Sequence, residues 1–156
     1  MRAVQVNIHI NAPMAQAFAV ISDHERFLRS ADGTKTKLLQ EGSTERNGLG
    51  CLREVKVGQR AWYVEEITGW ERPAFFEYTI RKASMPIRHE RSRLSFTAAD
   101  GGTDVQWTSR FSIPIPILGF FLGAMAEKLY SKAFLSLLTE AKAQLENRGT
   151  NIPTRP

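Results

Sequence analysis

The chain opens on an alternation. Val4, Val6, Ile8 and Ile10 occupy every second position, with Gln5, Asn7 and His9 between them. Successive side chains of a strand point to opposite faces, so this spacing predicts a strand with one buried face. Asn11 and Pro13 follow, and a proline fits the first turn of a helix. Ala17, Phe18, Val20 and Ile21 form the buried stripe of that short helix. Asp23 can cap a second one, with Phe27 and Leu28 turned inward, and Ala31-Asp32-Gly33 ends it.

From about residue 35 to residue 113 the pattern is strands and turns. Lys35 to Gln40 is a short strand, and Ser43 to Asn47 a polar turn. Cys51, Arg53, Val55 and Val57 share one face of the next strand, Gly58-Gln59 turns the chain, and Trp62 to Thr68 runs back. Glu71-Arg72-Pro73 is a break before Phe76, Tyr78 and Ile80. Met85-Pro86 is another, before a long strand from Arg88 to Thr97 that carries Leu94 and Phe96. Asp100-Gly101-Gly102 has the residues of a tight hairpin, and Val105, Trp107, Ser109 and Phe111 share a face beyond it.

After Pro116 the period changes. Leu122, Met125, Ala126, Leu129, Ala133, Phe134, Leu137, Leu138, Ala141 and Leu145 recur at spacings of three and four. Glu127, Lys128, Lys132, Ser136, Glu140 and Lys142 fill the other side. This predicts one amphipathic helix of about seven turns. Residues 148–156 read as a frayed tail, so the expected domain covers residues 1–147. The order is strand, two short helices, about six strands and a long helix. Hairpin-linked strands give an antiparallel sheet, and a helix with one apolar stripe must cover its inner face. The fold class is therefore α+β.

Composition narrows the picture without changing it. The length of 156 residues suits one domain that can bury a sizeable core. The net charge of +5 is mildly basic, with no run of Lys or Arg longer than the pair Arg81-Lys82, which argues against a nucleic-acid partner. The single cysteine, Cys51, excludes an internal disulfide and suggests a reducing cytoplasm. The N-terminal alternation leaves no continuous apolar run of the secretion-signal kind. The greasiest stretch, Phe111 to Met125, is interrupted by Pro114, Pro116 and two glycines and is too short and broken to span a bilayer.

Several ordered pieces resemble a known superfamily. They are Ile10-Asn11-Ala12-Pro13 with Ala17 to Asp23, then Gly48-Leu49-Gly50, Glu65 to Pro73 and Phe76-Glu77-Tyr78. Gly102 to Trp107 and the closing helix through Glu146 complete the set. Together they resemble the helix-grip fold of the START and pollen-allergen-like superfamily, and within it bacterial proteins of the polyketide cyclase/dehydrase and lipid-transport type. The run Phe27 to Asp32 lacks the proline and tryptophan that many such relatives carry at the cavity rim. The resemblance implies a curved sheet of about seven strands around the long helix. It also implies a cavity for a lipid, isoprenoid or quinone, aromatic or polyketide-like molecule. Carriers, cyclases, dehydratases and regulators of other proteins all share that fold, so it leaves binding and catalysis both open.

Strand parity nominates a lining. Leu94 and Phe96 carry Glu90 and Ser92 inward, Ile67 carries Tyr63 and Glu65, Val55 and Val57 carry Arg53 and Cys51, and Phe76 and Ile80 carry Tyr78. Arg53 and Glu65 are nearly equidistant from Gly58-Gln59 and should face each other across the hairpin. The expected ligand-binding residues are thus Arg53, Tyr63, Glu65, Tyr78, Glu90 and Trp107, with Phe121, Met125 and Leu129 from the helix side. Ile113 to Leu122, with Phe120 and Phe121, would either simply pack against the fold or form a hydrophobic gate or membrane-touching lip. His9, His24 and His89 are widely separated, which leaves Cys51 without a base and gives no metal-ligand spacing. No cofactor is expected. An enzyme would run on cavity shape plus an acid–base pair, Arg53 with Glu65 or Tyr78. Arg88, Arg91 and Arg93, with Arg81 and Lys82 nearby, form the densest basic patch, either plain solvated surface or a docking face for an anionic lipid surface or an acidic partner. The expected partner is an apolar small molecule, with at most peripheral membrane contact, and the chain would be a monomer or weak homodimer.

Overall fold

The computed structural model describes residues 1–150, with side chains through Arg148. The elements follow the sequence pattern: β1 (Arg2–Ile10), α1 (Met14–Ser22), α2 (His24–Arg29), β2 (Thr34–Gln40), β3 (Leu52–Val57), β4 (Ala61–Glu71), β5 (Phe75–Ala83), β6 (Arg88–Ala99), β7 (Gly102–Ser112) and α3 (Leu118–Thr150). The strands form one curved antiparallel sheet in the order β1-β7-β6-β5-β4-β3-β2. Every connection from β2 to β7 therefore joins neighbours. β1 reaches the far edge by pairing with β7, from Arg2 opposite Phe111 to Ile10 opposite Thr103.

The Asp100–Gly101 hairpin has φ of 48° and 74° at those two residues. Both lie in the left-handed region, which a two-residue turn of matching twist requires. β4 and β6 run three and two residues beyond the expected strands, because their ends still find ladder partners. Helix α3 begins four residues earlier than Leu122 and continues through Thr150, into the segment expected to fray. Residues 151–156, the rest of that expected tail, lie outside the described residues.

The core is densest at one end. Phe18 and Ile21 of α1, and Phe27 and Leu28 of α2, are buried against Phe76, Leu94, Phe96 and Trp107 of the sheet. Phe18 stands edge-on to Trp70, Phe76 and Phe96 at centroid distances of 5.1, 6.0 and 5.2 Å. Leu137, Leu138, Ala141 and Leu145 of α3 close this end from above. Their spacing of one, three and four residues is the apolar stripe of the sequence pattern. Among the described residues no helix is long and apolar enough to cross a membrane.

Candidate functional site

Under the first half of α3 the same stripe meets open space. Two adjoining chambers of about 310 and 340 Å³ lie between α3 and the sheet. They share Val57, Tyr63, Ile80, Ile87, Leu129 and Tyr130 in their walls. The inner chamber reaches Trp107, Phe134 and Leu137; the outer one opens past Trp62, Met85, Ile115 and Met125. Among the described residues no Asp, Glu, Lys or Arg lines either chamber. A largely apolar cleft with a few polar groups is the usual form of a small-molecule site.

Of the residues nominated from sequence, Tyr63, Tyr78, Trp107, Met125 and Leu129 stand in these walls. Arg53 and Glu65 face inward and pair across the β3–β4 ladder as their distance from the turn predicts, with Arg53 Nη1 donating to Glu65 Oε1 at 2.8 Å. They lie at 0% and 1% side-chain exposure and line neither chamber. The same carboxylate oxygen meets His24 Nδ1 at 2.7 Å, and Arg53 Nη2 donates to Asn47 Oδ1 at 2.7 Å and to Cys51 Sγ at 3.4 Å. His24, set aside on sequence spacing, is thus brought into a buried network by its place at the start of α2. Burial pushes the Glu65 carboxyl up, but the His24 ring and the Arg53 guanidinium outweigh it and leave the pKa below its ordinary value. Burial pushes the Cys51 thiol up, away from nucleophile chemistry.

Glu90 corrects the parity argument. It is exposed and points to the outer face, where it approaches Arg110 at 3.7 Å. The register between β6 and β7 shifts between His89 and Arg91, and one extra residue reverses which side chains face the core. His89 takes the inward place instead and lines the inner chamber with Tyr78 and Ser109. The missed signal was the bulge, which leaves no mark in the alternation itself. Phe121 is likewise not part of either wall: at 68% exposure it projects outward beside Phe120. Arg91 and Arg93 share the outer face as expected, yet both turn to the single carboxylate of Glu77, at 3.4 and 2.7 Å, which offsets part of that basic patch within the molecule.

The titratable groups of the inner chamber are held uncharged. Tyr78 stacks on His89 at 5.8 Å and 11°. Burial raises the phenols of Tyr63, Tyr78 and Tyr130 above their ordinary value. Burial lowers His89 to about 4. Among the described residues no group of His, Cys, Asp and Glu is placed to hold a metal ion.

Comparison with known proteins agrees with this architecture. The family described as polyketide cyclase / dehydrase and lipid transport matches residues 1–146. A structure of TTHA0849 from Thermus thermophilus superposes with a TM-score of 0.76 at 18% identity, covering 94% of this chain and 99% of that one. A START superfamily protein from Mycobacterium smegmatis gives 0.70 at 16% identity, covering 93% and 97%. Ara h 8.0201 gives 0.68 at 14%, covering 94% and 98%. No curated protein matches the chain in sequence. A helix gripped by a seven-stranded sheet, and a family match over nearly the whole length, place the chain in the polyketide cyclase/dehydrase and lipid-transport family of the START and pollen-allergen-like superfamily.

Proposed function

We propose that this protein binds or carries an uncharged hydrophobic small molecule in the paired chambers beneath the first half of α3. One observation carries the reading: beyond the contacts of Tyr130 with Phe111 and of Phe134 with Trp107, the apolar stripe of this half of α3 faces two apolar chambers rather than close-packed side chains. Left to water, such a surface is unfavourable by roughly 25 cal/mol for each Å² a ligand would cover. The exposed lip of Ile117, Leu118, Phe120 and Phe121 borders the outer chamber's Ile115 and Leu122 in sequence and offers the ligand a greasy way in. It is also the surface that peripheral membrane contact would use.

The family description keeps a cyclase or dehydratase activity in view. The wall chemistry favours binding over proton transfer. An efficient acid or base titrates near the working pH, whereas burial moves the tyrosines up and His89 down. Arg53 and Glu65 are engaged with each other and with His24 behind the walls.

Native mass spectrometry after incubation with a mixture of alkyl and aryl compounds tests the reading. The wild type should retain one apolar molecule, and Ala126→Phe and Ala133→Phe, which put bulk into the two chambers, should lose it. Retention that is unchanged in both variants, or none in the wild type, would count against the proposal.

A further inference from the structure

The inner chamber carries one polar spot, and its hydrogen count is uneven. The backbone N–H of Ile80 donates to His89 Nδ1 at 3.1 Å. A ring nitrogen that accepts has no proton, so the imidazole is neutral with its hydrogen on Nε2. That Nε2–H meets Ser92 Oγ at 2.8 Å and Ser109 Oγ at 3.2 Å. Ser92 and Ser109 hydroxyls bond to each other at 2.8 Å. The Tyr78 phenol lies near Ser92 and near the Trp107 indole, whose buried Nε1–H has no acceptor.

The cluster therefore holds four hydrogens: His89 Nε2–H and three hydroxyls. At most three links join its members: from His89 to the serine pair, between the serines, and between Ser92 and its neighbour Tyr78. Whichever way the hydroxyls rotate, one hydrogen is left over. Ser92 lies between the other two oxygens, so a spare donor falls on Ser109 or Tyr78; both line the chamber beside Trp107, whose Nε1–H is a further donor without an acceptor. A buried donor without an acceptor is costly, and a ligand that supplies the acceptor removes the cost. Among the described residues the wall offers no cation to balance a carboxylate or phosphate and no anion to balance an amine.

Resting on the binding function proposed above, we infer that the His89–Ser92–Ser109–Tyr78 cluster selects a neutral, mostly apolar ligand bearing a carbonyl-type oxygen, which docks on the Ser109 and Tyr78 hydroxyls. The bulge at His89–Arg91 is what makes the cluster. Without it Glu90 would occupy this wall, and a carboxylate there would repel the same oxygen.

The matched probes 2-acetylnaphthalene and 2-ethylnaphthalene differ at the carbonyl and little in shape. Equilibrium dialysis of both against the wild type and against Ser109→Ala/Tyr78→Phe separates the donor effect from plain hydrophobicity. The double variant should lose about threefold to tenfold in affinity for the acetyl probe, the worth of one neutral hydrogen bond, and keep its affinity for the ethyl probe. Equal losses for the two probes, or no loss for either, would overturn the inference and leave the binding function standing. Failure of both probes to bind the wild type would overturn both. The infrared carbonyl stretch of bound 2-acetylnaphthalene gives the answer without a variant: a band below its frequency in hexane supports the hydrogen bond, and a band at the hexane frequency refutes it.

Discussion

Helix α3 is one continuous helix with two different undersides. From Leu137 to Leu145 its apolar positions are filled contacts: Leu137, Leu138, Ala141 and Leu145 are all buried against β1, α1 and the sheet core. From Leu118 to Leu135 no side chain is buried, and Met125 and Leu129 remain 64% and 63% exposed although they belong to the same stripe. The first end has α1 and α2 wedged under it. The other end meets the sheet through Tyr130 on Phe111 and Phe134 on Trp107, and the rest of its stripe roofs the two chambers. One hydrophobic pattern thus fills the core at one end and, on the function proposed above, meets a ligand at the other.

The comparison can be broken at the sealed end first. Glu65 has His24 and Arg53 on one oxygen, and Glu65→Ala would leave a buried guanidinium without its counter-charge. The loss should be about 3–5 kcal/mol, read by denaturant unfolding, with no specific effect on ligand affinity in the fraction that folds. Leu138→Ala removes a side chain at 0% exposure and should cost about 2–5 kcal/mol by the same measurement.

Acid sharpens the hollow end. His89 is lowered from its usual value of 6.5 to about 4 because the neutral ring is the buried form. The unfolded chain then binds more protons than the folded one between those values. The resulting stability is present above pH 6.5 and is lost as pH falls towards 4, on the order of 3 kcal/mol in all. His9, raised by its hydrogen bond to Asp104, works weakly in the opposite sense at the surface. Unfolding curves from pH 7 to 4.5 should show the drop in the wild type and a shallower one in His89→Gln. The smallest effect on stability belongs to Leu129→Ala, at about 0.5 kcal/mol or less, since that side chain is mostly exposed. The same change should still weaken binding of an apolar probe, because Leu129 stands in the walls of both chambers.

The sequence made much of the frame readable. Period-two spacing located the strands, the change of period after Pro116 located α3, and equal distance from Gly58-Gln59 paired Arg53 with Glu65. These are local quantities, and the chain carries them locally. Three parts of the site were not readable. Periodicity says which face of α3 turns inward, not whether side chains or space lie beneath it. Parity placed Glu90 in the wall until a bulge moved His89 there. His24 and Glu65 lie 41 residues apart, and only the packing of α2 on the sheet brings them to 2.7 Å. The chambers themselves were expected from family likeness rather than from any pattern of residues.

Amide hydrogen exchange along α3, with and without 2-acetylnaphthalene, tests the central claim most directly. In the free protein, amides from residue 118 to residue 135 should exchange faster than those from 137 to 147, because fewer buried contacts hold that half down. The probe should slow the first group and leave the second unchanged. Uniform protection along the helix, or slowing confined to residues 137–147, would contradict the account.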